Sequence, residues 1–185
     1  MALTAGASLA GATELTAADR QAGWIWFRVL ALAASVAVLS ALLLAVLERV
    51  RHARECADNL RSVYRALEVY EIERGTLPSL AYFPDHPMED SDSLRVVLEP
   101  YGLAPEKCVC PASHPVQRAE GLTYLWNVRL NGKRIPRGAQ ATWMLVDMNA
   151  LSSDVPAPHW GGYHVLYSDG TVRRIRNPQR ELPGL

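Results

Sequence analysis

Nineteen consecutive residues without a charge, VLALAASVAVLSALLLAVL at positions 29–47, limit the folds open to this chain more than any other feature. At about 1.5 Å of rise per residue they make roughly 28 Å of helix, enough to cross the hydrocarbon core of a bilayer. No glycine or proline follows until Gly75, so the helical pattern is expected to run on through ERVRHARECADNLRSVYRALEVYEIER into water. Beyond position 47 the apolar residues thin to one face: Val50, Ala53, Leu60, Val63, Tyr64, Leu67, Tyr70 and Ile72 recur at three- and four-residue intervals. That spacing predicts an amphipathic helix packed along one side. Four parts follow: a leader or disordered tail over 1–23, a transmembrane helix over 24–47, its amphipathic continuation over 48–75, and a small β-rich domain over 76–185.

Nineteen basic and nineteen acidic residues balance, so no long-range field draws in nucleic acid, and none is expected as a partner. Trp24 and Trp26 stand beside Arg28 at the start of the apolar run, which suits rings at the headgroup level and an arginine snorkelling toward them. Cys56, Cys108 and Cys110 allow one intramolecular bridge at most. Cys108 and Cys110 are too close in sequence to pair well, which leaves Cys56 with one of them in an oxidising compartment.

The last third changes from helical to alternating period. Residues 123–128, 141–147, 163–168 and 171–175 are rich in aromatic and β-branched side chains, and Asp169-Gly170 between the last two runs predicts a hairpin with both turn residues at positive φ. A short helix over 93–101, capped by Asp92 and stopped near Gly102, is expected before them. The fold class expected is α+β: a long N-terminal helix whose second half lays its apolar face on one face of a small antiparallel sheet.

The block HWGGYHVLYSDGTVRRI places His159 nine residues ahead of Asp169-Gly170. A second block, C-x-x-N-L at Cys56, Asn59 and Leu60, leads to Y-x-x-x-x-G-x-L-P from Tyr70 to Pro78, and Cys110 is followed by Pro111. In these features and in the order of its parts the chain resembles the type IV pilin and type II secretion pseudopilin family, and most closely the bacterial pilin-like proteins with a C-terminal His-x9-Asp-Gly signature. The resemblance implies a structural subunit in the inner membrane, with its C-terminal domain outside the cytoplasm and other pilin-like subunits as partners through the N-terminal helix. It also implies prepilin-type cleavage between Gly23 and Trp24. Family members carry a glutamate at the fifth mature position, where this chain has Arg28, and a basic cluster before the cut, where it has Arg20 alone. Arg28 would therefore set the assembly register differently, which implies a minor or capping subunit. Arg49, Arg51 and Arg54 after the span outnumber Arg20 and Arg28 before it, a bias of one residue toward the opposite orientation.

No phosphate loop, Ser-His-Asp order, paired-carboxylate motif or nucleotide fingerprint occurs, so neither an enzyme nor a cofactor is expected. His159 is expected to be structural: its imidazole bonds a loop carbonyl, Gly161 and Gly162 turn the chain into a strand, and Asp169-Gly170 closes the hairpin. Two metal sets compete with that reading. Cys108, Cys110 and His114 with His159 or Cys56 offer zinc donors, but at a spacing unlike the common knuckle. Asp147, Asn149, Ser152, Ser153 and Asp154 offer calcium donors without the spacing of a recognised loop. No metal is expected. The rival function is an uncleaved single-pass protein whose outer domain binds a metal or small ligand around His159 and His164.

Overall fold

The computed structural model describes residues 17–152 and 154–185, with side chains from residue 24 onward. α1 (Ala17–Arg74) is an unbroken helix of 58 residues. Residues 17–23 are thus helical, not the disordered tail that was one alternative for them, because elongating an existing helix is far easier than nucleating a new one. The rest of that segment lies outside the described residues.

Contacts divide the chain into two units, Met1–Ala45 and Val46–Leu185. In the first, every described side chain is exposed, Leu30, Leu39 and Leu42 among them, and the helix is long and apolar enough to cross a membrane.

The second unit is built on the other half of α1. Cys56, Leu60, Val63 and Leu67, spaced four, three and four, are fully buried and form one stripe. Ile72, expected on the same face, is 80% exposed, because five residues past Leu67 it has rotated about 140° around the helix. Tyr64 and Tyr70 flank the stripe and are only partly buried. Gly75 ends the helix at φ +81°, a conformation that a Cβ would strain, and its N–H donates to the Glu71 carbonyl at 2.8 Å.

Four strands, β1 (Tyr124–Trp126), β2 (Trp143–Asp147), β3 (Tyr163–Tyr167) and β4 (Val172–Ile175), pair antiparallel in chain order, so the sheet is a meander. They occupy the four expected runs and are shorter. The long helix packed on this small antiparallel sheet makes the architecture α+β. Tyr124, Trp126, Met144, Leu145 and Leu166 share a core with the α1 stripe. Leu125, Trp143, Val146, Tyr163, Val165 and Ile175 form a second core on the opposite face. A register shift between Trp143 and Leu145 explains why Met144 and Leu145 fall in the same core despite the strand's two-residue period. The sheet is therefore buried on both faces, where one was expected. Tyr82 and Phe83, and Leu182 and Leu185 around the short helix α2 (Pro178–Glu181), cover the second face.

Two local expectations are corrected. The β3–β4 turn holds three residues, 168–170, and only Gly170 has positive φ, so Asp169 does not take the left-handed conformation expected of it. One extra loop residue converts a two-residue turn into a tight turn followed by a left-handed glycine. The helix Leu94–Leu98 is preceded by Ser93, not Asp92, and the Ser93 hydroxyl donates to the Pro87 carbonyl at 2.6 Å instead of capping.

Replacing Leu60 by Ala should destabilise the protein by about 2–5 kcal/mol, the usual penalty for a cavity in a closed core. Ile72→Ala on the same helix should stay within about 0.5 kcal/mol. Denaturant unfolding of both variants in detergent micelles checks the contrast, and equal losses would contradict the assigned face.

Candidate functional site

Where the buried stripe of α1 passes the end of β2, four titratable side chains from separate parts of the chain meet. Cys56 is the first member of the stripe. Asp147 closes β2, and because Val146 belongs to the far core, alternation turns Asp147 toward α1. Cys110 lies in the loop between the 3-10 turn Pro105–Cys108 and the helix Pro115–Ala119, and His159 lies in the loop before β3. Cys56, Cys110 and Asp147 are fully buried and His159 is 4% exposed. One ligand atom from each lies within 4.8 Å of all the others.

The loops are held there by backbone bonds. Cys110 N–H donates to Thr123 Oγ1 at 2.7 Å, and the Asn59 side-chain amide, one turn after Cys56, donates to the Val109 carbonyl at 2.9 Å. His159 and Gly162 form an isolated bridge, in which the Gly162 N–H donates to the His159 carbonyl. Gly161 sits at φ +71°, and a Cβ on Gly162 would run into the Ile175 carbonyl oxygen, so both glycines are needed to bring His159 back onto the sheet.

Within the cluster the Cys56 thiol donates to Asp147 Oδ1 at 3.6 Å and also lies 3.6 Å from the Tyr124 hydroxyl. Cys110 Sγ is 3.4 Å from His159 Nε2, and His159 Nε2 is 3.4 Å from Asp147 Oδ2. The same Oδ2 accepts the backbone N–H of His164 at 2.6 Å. The His164 ring stacks on that of His159 with centroids 3.9 Å apart. Neither His159 Nδ1 nor His164 Nδ1 has a hydrogen-bond partner, although both are buried.

Burial disfavours charge on every group whose titration it moves. It pushes the Asp147 carboxyl up to about 7, against the His164 N–H and the Cys56 thiol, which favour its ionised form. It raises the Cys56 thiol, with Cys110 and Asp147 adding to the effect. Burial, then the charges of His164, Arg174 and His52, holds His159 down to about 3, and burial with Arg174 and Arg61 holds His164 to about 4. The close approach of His159 to Asp147 is therefore not a stable ion pair near neutrality.

A groove of about 730 Å³ reaches this cluster, lined by His159 and His164 together with Arg49, Arg54, Arg174 and the exposed Trp160. Arg174 Nη1 donates to the Trp160 carbonyl at 3.2 Å.

The structure thus brings Cys56, Cys110 and His159 together with Asp147 and His164, and leaves Cys108, His114, Asn149 and Asp154 out of the cluster. The His159 imidazole meets Cys110 and Asp147 instead of the expected loop carbonyl. All three cysteines are free thiols, so the expected bridge from Cys56 is not formed, although Cys110 is its neighbour. Cys108 is buried in the main core, its thiol pushed up to about 12 by burial, and His114 Nδ1 caps the helix Pro115–Ala119 by accepting the Val116 N–H. Asp147 is drawn away from the calcium set: the Asn149 amide donates to the Pro156 carbonyl, Ser152 Oγ accepts the Asp154 N–H, and Ser153 lies outside the described residues. Asp169 does not approach His159. It accepts from the Thr171 N–H and hydroxyl and from Arg173, while the Tyr64 hydroxyl of α1 donates to the Ser168 carbonyl beside it. Trp24 is exposed, with the Arg28 guanidinium 4.5 Å from its ring centre, and Gly23 lies within the helix. Asp147 was not predicted as a partner of the thiols. Its signal was faint: a carboxylate ending an apolar strand run, WMLVD.

No protein-family model, curated protein or solved structure matches the chain.

Unfolding should be sensitive to pH. Between about pH 4 and 6.5 the unfolded chain takes up a proton on each of two histidines that the folded chain leaves neutral, and releases the one that folded Asp147 keeps. Unfolding there binds a net of up to about one proton, so stability falls on acidification through this window from a maximum near pH 7. Denaturation midpoints of the full-length protein in chelator-containing detergent buffer should drop from about pH 6.5 to 4.5. A flat or rising midpoint would contradict the neutral cluster.

Proposed function

We propose that the chain is a non-enzymatic, membrane-anchored pilin-like subunit, minor in abundance, of a type II secretion or type IV pilus-type assembly. Its helix lies in the inner membrane, its domain lies outside the cytoplasm, and its partners are other pilin-like subunits that pack along the N-terminal helix. The observation that carries the reading is the contrast within α1. Residues 29–45 are uncharged and exposed at every position, whereas Cys56 to Leu67 on the same unbroken helix form the spine of a small antiparallel domain. An uncovered apolar surface of that length needs lipid or other helices around it. The block from His159 to Gly170 supports the same reading: it forms the loop and hairpin that dock beside Tyr64 of the helix. The rival, an uncleaved anchored domain that binds a metal or small ligand, is favoured by the four-residue cluster alone.

Intact mass and N-terminal sequencing of the protein from its native membrane separate the two. A terminus at Trp24 is the expected result, and an intact segment ahead of Gly23 would favour the rival. Arg28→Glu should raise the share of the protein that copurifies with pilin-like partners, since a carboxylate can neutralise a neighbouring subunit's new amine within the membrane. No change, or a fall, would contradict the register role of Arg28.

A further inference from the structure

We propose that Cys56, Cys110, Asp147 and His159 form a closed, tetrahedral zinc site that ties α1 to the sheet and to two loops. The inference is independent of the pilin-like reading, because it rests on side chains within residues 46–185 alone.

The donor set is the first argument. Two thiolates, an imidazole and a carboxylate suit a borderline-soft divalent ion of tetrahedral preference, and zinc accepts all three donor types. Geometry is the second. Zinc bonds of about 2.3 Å to sulfur and 2.0–2.2 Å to nitrogen and oxygen require tetrahedral edges of about 3.6 Å from sulfur to either and about 3.4 Å from nitrogen to oxygen. The cluster has 3.4 Å from Cys110 Sγ to His159 Nε2, and Asp147 meets one further edge with each oxygen, Oδ1 at 3.6 Å from Cys56 Sγ and Oδ2 at 3.4 Å from His159 Nε2, so either oxygen as the ligand starts from one matched edge. The remaining separations stay within 4.8 Å, so closing any of them onto a shared ion takes a shift of about 1 Å.

The surroundings supply the third argument. Four ionisable groups are buried together with weak, long contacts among themselves, an arrangement that is hard to account for by stability alone. His159 Nε2 lies 3.4 Å from both Cys110 Sγ and Asp147 Oδ2, where a ligand lone pair is needed, and its Nδ1 is a buried polar atom without a partner among the described residues. Outer partners for the ligands are in place. The Tyr124 hydroxyl can donate to the Cys56 sulfur, the His164 N–H fixes Asp147 Oδ2, and the His164 ring braces that of His159. The groove along His159 and His164 gives an entry path. On binding, each thiol, and the Asp147 carboxyl where it is protonated, passes its proton to solvent and a lone pair to zinc, with no change of oxidation state. Two thiolates, a carboxylate and Zn²⁺ sum to one negative charge, which Arg49, Arg54 and Arg174 in the groove wall complement. Zinc and a Cys56–Cys110 disulfide are mutually exclusive fates of the same sulfurs.

The test uses the full-length chain in detergent micelles, stripped of metal under reducing conditions and titrated with Co²⁺, then Zn²⁺. Expected are one cobalt per chain, the strong visible bands of a tetrahedral ion, a thiolate-to-cobalt charge-transfer band in the near ultraviolet, and displacement of all three signals by one equivalent of zinc. Cys56→Ser and Cys110→Ser should each roughly halve the charge-transfer intensity or abolish binding, and Cys108→Ala should leave the spectrum unchanged. Because the wild-type spectrum is itself decisive, an unfolded variant does not rescue the proposal. It is overturned by sub-stoichiometric or octahedral cobalt, by equal loss in Cys108→Ala, or by a Cys56–Cys110 cross-link in peptide maps of the protein taken from its native membrane.

Discussion

Burial of one helical stripe, Cys56, Leu60, Val63 and Leu67, against Tyr124, Met144 and Leu166 is the contact on which the rest of residues 46–185 depends. Each fully buried aliphatic side chain contributes about 1.5–3 kcal/mol, and among the described residues no other element offers the sheet so long an apolar surface. The same packing decides where chemistry can occur. With Cys56 at the head of the stripe, Asn59 on the next turn anchors the loop that carries Cys110, and the end of β2 delivers Asp147 beside both. The hairpin that follows His159 is docked in turn through Tyr64. A change in helix register by one residue would rotate the stripe by about 100° and dismantle core and cluster together.

α1 meets two different demands with one backbone. From Val46 to Arg74 its charged residues are exposed or half-buried except Glu71, which is buried and accepts the Ile135 N–H and Arg137, and the uncharged run keeps none between positions 29 and 47. On the proposed reading, the first portion is completed by lipid and by helices of other subunits, so the structure of one chain is complete only in its second unit. The bonded loop before β3 then has a mechanical meaning. A domain carried on a single helix transmits load through few connections, and a metal joining α1, β2 and two loops would add a crosslink where hydrogen bonds alone are long and weak.

Much of this architecture was legible in the sequence because it rests on periodicity. The uncharged run, the stripe at three- and four-residue spacing, the helix stop at Gly75 and the four strand runs are each local signals, and each element formed where it was read. The second core was not legible. WMLVD and YLW are apolar throughout, a pattern that marks a strand without saying how many of its faces are covered, and the cover comes from Tyr82, Phe83 and Leu182, which carry no strand or helix periodicity of their own. Part of the candidate site was visible as residue types, since Cys56, Cys110 and His159 were all singled out. Their meeting, and the presence of Asp147 among them, depends on pairings across 17 to 91 positions that no local pattern encodes. The Asp-Gly signal was right about the hairpin and wrong about Asp169, because loop length, set by the pairing of Leu166 with Val172, decides which residue takes the left-handed turn.

On the proposed reading, the uncovered apolar half of α1 is completed by equivalent helices of other subunits. Placing a photo-crosslinking residue at Leu39, 65% exposed in the isolated chain, and irradiating the native membrane tests it directly. Covalent adducts with other chains that carry an N-terminal apolar helix and a small outer domain are expected. Adducts with lipid alone, or with proteins lacking such a helix, would contradict it.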